Sequence, residues 1–227
     1  MKRLPLAFLI FLVAALCNIT TLPVRADSKT IVVPDDCQTI SEALINARNC
    51  DSIHIRSGIY AGPINSTLLI RKSINLSGEG AESTKIMLTP SLVQKNMFEF
   101  LYMEYDSAIK IDAAGVRISN IEIDGVGGDF AINYRGAQIV NVVTNLKVVA
   151  RSDSSQIINS TLRGMDLSGS GLLIKENILN GTGGFFISCA GSCNVIDSNH
   201  ISGEGGGISV KGTLNIIQSN TVLSGGE

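Results

Sequence analysis

Residues 187 to 199 and 208 to 220 align without a gap, with Gly191 on Gly212, Asn194 on Asn215, Ile196 on Ile217 and Ser198-Asn199 on Ser219-Asn220. A unit of about twenty residues cannot enclose a core of its own, so a chain that repeats at this period must bury its apolar face against its neighbours. The same register runs backwards as a column of Ile118, Ile139, Ile157, Ile174, Ile196 and Ile217, at spacings of 21, 18, 17, 22 and 21. Nine residues before each member lies a second column, Ile109, Phe130, Val148, Met165, Ile187 and Ile208. Seven before comes a third, Ile111, Ile132, Ala150, Leu167, Cys189 and Val210, and five after comes a fourth, Ile123, Thr144, Leu162, Leu179, Ile201 and Val222. The second and third columns stand two residues apart in each copy, the period of a strand with one buried face, and helical spacing fails.

Short strands without a helix, stacked copy on copy, predict a parallel β-solenoid. Regular coils are expected over residues 105 to 227, within one domain of residues 27 to 227. Gly125, Gly164, Gly181 and Gly203 follow the fourth column by two residues, where a turn can use a positive φ. Polar ladders, Asn120, Asn141 and Asn159 at one step and Asn177, Asn199 and Asn220 at the next, are expected to hydrogen-bond from coil to coil. A leucine-rich repeat is excluded because its leucine spacing and helical half-repeat are missing. Aromatic residues make up 5% of the chain and Trp is absent, in keeping with an interior of stacked aliphatic side chains.

The first residues read as an address. Lys2 and Arg3 precede an apolar run over residues 4 to 17, and Val24-Arg25-Ala26 closes a polar stretch. This is the layout of a secretory signal peptide over residues 1 to 26, cleaved after Ala26, because the run falls short of the roughly 20 residues that span a bilayer. The protein is expected to be secreted or periplasmic, with no membrane span after cleavage. The leader holds three of the basic residues and no acid, so the net charge of −2 falls to about −5 on cleavage. An acidic surface of this kind excludes nucleic acid and anionic membranes as expected partners. Thr39-Ile40-Ser41-Glu42 is a capping box, and Ile40, Ala43, Leu44 and Ala47 form one apolar stripe. Residues 39 to 48 are therefore expected to be an amphipathic helix closing the first coil. At the other end, Gly225-Gly226-Glu227 follows the fourth column with no covering element, which predicts a truncated solenoid or self-association through an open C-terminal coil.

Residues 31 to 34, Gln38-Thr39-Ile40-Ser41-Glu42-Ala43-Leu44, Asp51-Ser52-Ile53-His54-Ile55, Gly58-Ile59-Tyr60 and Ile74-Asn75-Leu76-Ser77-Gly78-Glu79-Gly80 stand in a familiar order. This block resembles the amino-terminal part of the pectin-lyase-like superfamily, and the later Ile-Xaa-Xaa-Asn-Xaa-Ile-Xaa-Gly copies resemble its parallel β-helix repeats. The resemblance implies an all-β, right-handed, single-stranded parallel β-helix with an N-terminal amphipathic capping helix. It covers pectin methylesterases, polysaccharide lyases and epimerases, adhesins and periplasmic copper-delivery proteins, among which fold does not choose.

No complete catalytic constellation is present. Asp129-Phe130 echoes a methylesterase motif over two residues only, and Ala131, Ile132 and Asn133 depart from it. The outward position between the second and third columns reads Lys110, Ala131, Val149, Asp166, Ser188 and Ser209, which is no acidic cluster. Mixed polar stripes lie beside it: Asp112, Asn133 and Arg151 beyond the third column, then Glu122, Asp124, Asn145 and Arg163 around the fourth. Stacked coils bring such residues within about 5 Å, where carboxylates can hold sugar hydroxyls or a hard cation such as Ca²⁺. The predicted ligand-binding residues are Asp112, Glu122, Asp124, Asn133, Arg151 and Arg163, with no resident metal or cofactor. His54 and His200 read as surface residues. Cys189 and Cys193 replace apolar residues of the next copy and are expected to pack, with a local disulfide as the alternative. A Cys37–Cys50 bridge across the helix requires its flanks to fold back. The function expected is binding of an extracellular polysaccharide, ahead of its modification by a lyase, hydrolase or esterase activity of that superfamily. The alternatives are a non-catalytic surface or periplasmic scaffold and, more remotely, copper delivery.

Overall fold

The computed structural model of the protein describes residues 28–97, 100–182, 186–204 and 207–224. The leader expected at residues 1 to 26 and the last three residues lie outside them.

Each coil contributes up to three short strands, and like strands stack in parallel to make three faces. The first face carries Thr30–Val33, Ser52–Ile55, Asn75–Gly78, the opening halves of Arg117–Gly125 and Gln138–Thr144, then Gln156–Ile158, Leu173–Lys175, Val195–Asp197 and Ile216–Gln218. The second face continues from the closing halves of the two long strands and includes Gly58–Ile64, Thr84–Thr89, Thr161–Leu162, Ile178–Thr182, His200–Glu204 and Thr221–Ser224. The third is a separate seven-stranded sheet: Leu68–Ile70, Ile109–Ile111, Asp129–Ile132, Lys147–Arg151, Gly164–Ser168, Ile187–Ala190 and Ile208–Lys211. This is a parallel β-solenoid, nearly all β, with one short helix.

Cross-coil pairing follows the isoleucine column. Ile118 pairs with Ile139, Ile139 with Ile157, Ile157 with Ile174, Ile174 with Ile196 and Ile196 with Ile217. The stack also extends before residue 105, through Leu76, Ile53 and Ile31. Its members are at most 1% exposed except Ile217, which lies on the last described coil and is 51% exposed beside exposed Leu214, Ile216, Val222 and Leu223. Fully burying one such side chain is worth about 1.5–3 kcal/mol, so the interior of stacked aliphatic columns is the main source of stability.

The corner between the first and second faces is a single left-handed residue. Asn120, Asn141, Asn159, Glu176, Ser198 and Ser219 occupy it with φ between 49° and 57°. Asparagine tolerates that conformation better than most side chains, and here its amide points outward, with Asn141 Nδ2 donating to Asn120 Oδ1 at 2.9 Å. The next residue points inward. It is apolar in the early coils, Ile121 and Val142, then Ser160, then the ladder of buried Asn177 and Asn199 and partly buried Asn220. Asn177 N–H donates to Asn199 Oδ1 (3.0 Å) and Asn199 N–H to Asn220 Oδ1 (2.9 Å), while each Nδ2 reaches a carbonyl of the preceding coil. The two asparagine triples thus have different tasks, one bending the chain and one satisfying its buried amides.

The helix α1, Ile40–Asn46, is shorter than the expected residues 39 to 48. Thr39 is its N-cap, its Oγ1 accepting from Glu42 N–H at 3.1 Å while Glu42 Oε2 accepts from Gln38 N–H at 3.0 Å. Ile40, Ala43 and Ala47 are buried against the first strands, and Leu44 is partly buried beside them. Lys72 Nζ donates to the carbonyls of Leu44 (2.9 Å) and Ile45 (2.7 Å), satisfying acceptors at the helix end. Asp51, 4% exposed, accepts N–H bonds from Lys29 (2.8 Å) and Arg48 (2.7 Å), tying the first strand to the segment after α1.

An element absent from the sequence reading interrupts the coils. Leu92–Met97 and Phe100–Tyr105 pair antiparallel as a hairpin leaving the corner between the second and third faces. Its base lies against Gly127 and Gly128 of the next coil, where a side chain at Gly127 would collide with the Tyr105 ring and one at Gly128 with the carbonyl of Asp106.

Candidate functional site

Strand alternation decides what the third face shows. Ile109 and Ile111, Phe130 and Ile132, Val148 and Ala150, and Met165 and Leu167 point inward and are buried. The residues between and after them therefore point outward. Lys110, Ala131, Val149, Asp166, Ser188 and Ser209 stand in one outward register, as the sequence columns require. Asp112, Asn133 and Arg151 follow the strand ends one coil apart. Their backbones stay in the ladder, with Asp112 N–H on Ile70 O (2.8 Å) and Asn133 N–H on Ile111 O (3.0 Å). Asn133 Nδ2 donates to Asp112 Oδ1 at 2.9 Å, and Lys110 Nζ lies 3.6 Å from Asp112 Oδ2. Lys147 Nζ lies 3.7 Å from Asp166 Oδ2. Ala131, 9% exposed, and half-buried Val149 make an apolar floor, edged by Asp112, Asn133 and Arg151 at the strand ends, by Lys147 at the strand start and by Asp166 one coil beyond Val149.

Glu122, Asp124 and Arg163 lie elsewhere, on the second face. Lys85, on the neighbouring coil and in register with Glu122, bridges both carboxylates, with Nζ 2.8 Å from Glu122 Oε1 and 2.6 Å from Asp124 Oδ2. Hydrogen bonds that the Lys85 ammonium donates to Asp124 and then to Glu122 hold it above the ordinary lysine range. That ammonium fills the place a bound cation would take. Arg163 borders a shallow cup of about 280 Å³ with Thr161, Asn145 and Asn180. The Asn145 amide is fixed there, accepting from Gly125 N–H (3.0 Å) and donating to Gly125 O (3.1 Å).

The six residues singled out from sequence thus fall into two groups on two faces. Asp112, Asn133 and Arg151 are brought together, and Glu122 joins Asp124, but no single track holds all six. Lys85, Lys147 and Asp166 complete the groups. For Lys147 and Asp166 the signal was the strand alternation itself, whereas Lys85 precedes the first regular repeat and lacked one.

Among the described residues no group of three or more His, Cys, Asp or Glu could hold a metal ion. The four cysteines among the described residues are free. Cys37 and Cys189 are buried, in line with packing, but Cys50 and Cys193 are exposed. Cys193 departs from the packing expected of it because it takes a left-handed turn position, φ 59°, like the 80% exposed Leu214 one coil on. His54 is not isolated. Its Nε2 lies 3.9 Å from Glu79 Oε1, within a surface network in which Arg56 pairs with Asp35 (2.6 Å) and Ser57 holds the other Glu79 oxygen. The hydrogen bonds from Ser57 lower the Glu79 carboxyl below its usual value, and that from Arg56 does the same to Asp35.

The architecture defines the class, a parallel β-solenoid with a helix at its N-terminal end and charged outward columns. No family model matches the sequence, and no curated protein does. Among solved structures, pectin methylesterase PemA from Erwinia chrysanthemi is similar, with 11% identity and a TM-score of 0.36, covering 75% of this chain and 66% of that one.

Proposed function

We propose that this chain is an exported protein that binds an extended extracellular polysaccharide across the third face of the solenoid. The observation that carries the reading is the floor of Ala131 and Val149 edged by Asp112, Asn133, Lys147, Arg151 and Asp166. A sugar ring offers an apolar face and a rim of hydroxyls, which such a floor and such an edge complement. The coils repeat at about 4.8 Å, close to the advance of a sugar chain per residue, so successive sugars meet successive coils. Asp112 and Asp166 each lie beside an ammonium, an arrangement that accepts hydrogen bonds from hydroxyls and supports recognition over turnover. The leader read at residues 1 to 26 supports export.

The test is a screen of neutral and acidic polysaccharide fragments, followed by calorimetry with the tightest binder. Paired alanine substitution of Lys147 and Asp166 is expected to weaken binding about ten-fold or more, since hydrogen bonds to charged groups are worth about 1.5–3 kcal/mol each. Stability should move by less than about 1 kcal/mol, because both side chains are exposed. Paired substitution of Glu122 and Arg163, on the other face, should leave affinity unchanged. Equal affinity of the Lys147/Asp166 variant and the unaltered protein for every bound fragment would overturn the reading.

A further inference from the structure

We propose that the groove between α1 and the strand Leu68–Ile70 binds the carboxyl end of an extended peptide, which joins the seven-stranded sheet as an additional parallel strand. Leu68–Ile70 is the terminal strand of that sheet and has one neighbour, Ile109–Ile111. Leu68 N–H donates to Ala108 O (2.9 Å) and Ile70 O accepts from Asp112 N–H (2.8 Å), so Leu68 and Ile70 direct their backbone groups to that neighbour. In a parallel ladder alternate residues bond to opposite sides, which turns the N–H and C=O of Leu69 toward the open edge. Sheet edges of this kind are templates for another strand.

The edge opens into a groove of about 380 Å³ walled by Ser41, Leu44 and Ile45 of α1 and by Pro63 and Leu69. Ile45 is 75% exposed there, with no intramolecular role that explains it. Arg71 lines the same groove just past the carboxyl end of the strand, and none of the ion pairs among the described residues involves it. Lys72, its neighbour, is already committed to the carbonyls that end α1. A peptide added parallel to Leu68–Ile70 runs its carboxyl end toward Arg71, so strand direction and charge select the same end of the ligand. The apolar wall of Leu44, Ile45 and Pro63 takes an aliphatic side chain near that end. The ligand class is therefore a short extended peptide with aliphatic residues and a free C-terminal carboxylate. This site is separate from the glycan-binding floor and stands or falls independently of it.

The experiment is fluorescence anisotropy of the full chain with fluorescein-Gly-Ser-Gly-Thr-Val-Ile-Val as the free acid and as the C-terminal amide. The acid should bind, and the amide about ten-fold or more weaker, since a charge-assisted pair with Arg71 is lost. Arg71→Ala should reduce the acid to the level of the amide, and Ile45→Glu should abolish binding of both. Both positions are exposed, so circular dichroism and the urea midpoint should stay unchanged in the variants. Equal binding of acid and amide, no effect of Arg71→Ala, no binding of either peptide at millimolar concentration, or displacement only by an acidic oligosaccharide would each overturn the proposal.

Discussion

Replacing Asn199 by Leu keeps the branched outline of the side chain and removes every hydrogen bond it makes. Asn199 is 1% exposed, so water cannot take its place. Its Oδ1 accepts from Asn177 N–H (3.0 Å) and Asn177 Nδ2 (2.9 Å), and its Nδ2 donates to Ile174 O (3.0 Å) and Asn220 Oδ1 (2.8 Å). The substitution removes all four bonds; Asn177 Nδ2 keeps Ile157 O and Asn220 Oδ1 keeps the Asn199 N–H, but the Asn177 N–H loses its side-chain acceptor inside the corner. At about 0.5–1.5 kcal/mol net per bond the loss is about 2–6 kcal/mol. Added apolar burial returns about 1–2 kcal/mol, leaving a net destabilisation of about 2 kcal/mol. Equilibrium urea unfolding followed by circular dichroism reads it directly. Asn145→Leu is the internal control, because Asn145 is exposed and its two bonds to the Gly125 backbone lie at the surface, where solvent replaces them. A loss below about 1 kcal/mol for Asn199→Leu, or one no larger than for Asn145→Leu, would refute the claim that the ladder satisfies buried amides.

Alkylation of the native protein with iodoacetamide should label Cys50 and Cys193 and spare Cys37 and Cys189 until urea unfolds the coils. Burial raises the Cys189 thiol above its usual value and adds to that protection, so labelling of Cys189 at the rate of Cys193 would contradict its placement. In acid, the N–H bonds from Lys29 and then Arg48 hold Asp51 below its ordinary carboxyl value of 3.8. Its contribution to stability is therefore present above that value and disappears as pH falls through the lower folded value. Urea midpoints taken from pH 7 down to pH 2 should fall less steeply for Asp51→Asn than for the unaltered protein, and identical slopes would count against the role assigned to Asp51.

The architecture was legible because its cause is local and repeated. Ile118 to Ile217 recur at one spacing since each coil must put an apolar side chain above the last, and a pattern selected in every copy stands out in a single chain. The capping box before α1 was legible for a related reason, as both of its partners lie within five residues. What failed to show lacked repetition. Among the described residues the hairpin of Leu92–Met97 and Phe100–Tyr105 occurs once, as a two-stranded sheet of its own. Cys193 looked apolar by alignment with Leu214, but alignment equates positions without saying which way they face, and both sit at an exposed left-handed turn.

The sequence alone therefore determined the coil, the inward columns and the residues that alternate with them, because burial acts on every repeat through the same strand geometry. Only the tertiary structure decided how the outward residues are grouped. Asp112 and Asp124 are twelve residues apart and read as parts of one polar surface, yet the left-handed turn at Asn120 sends the chain onto another face between them. Lys85 meets Glu122 across 37 residues, and Arg71 is left beside an open strand edge, through stacking distances that no local pattern encodes.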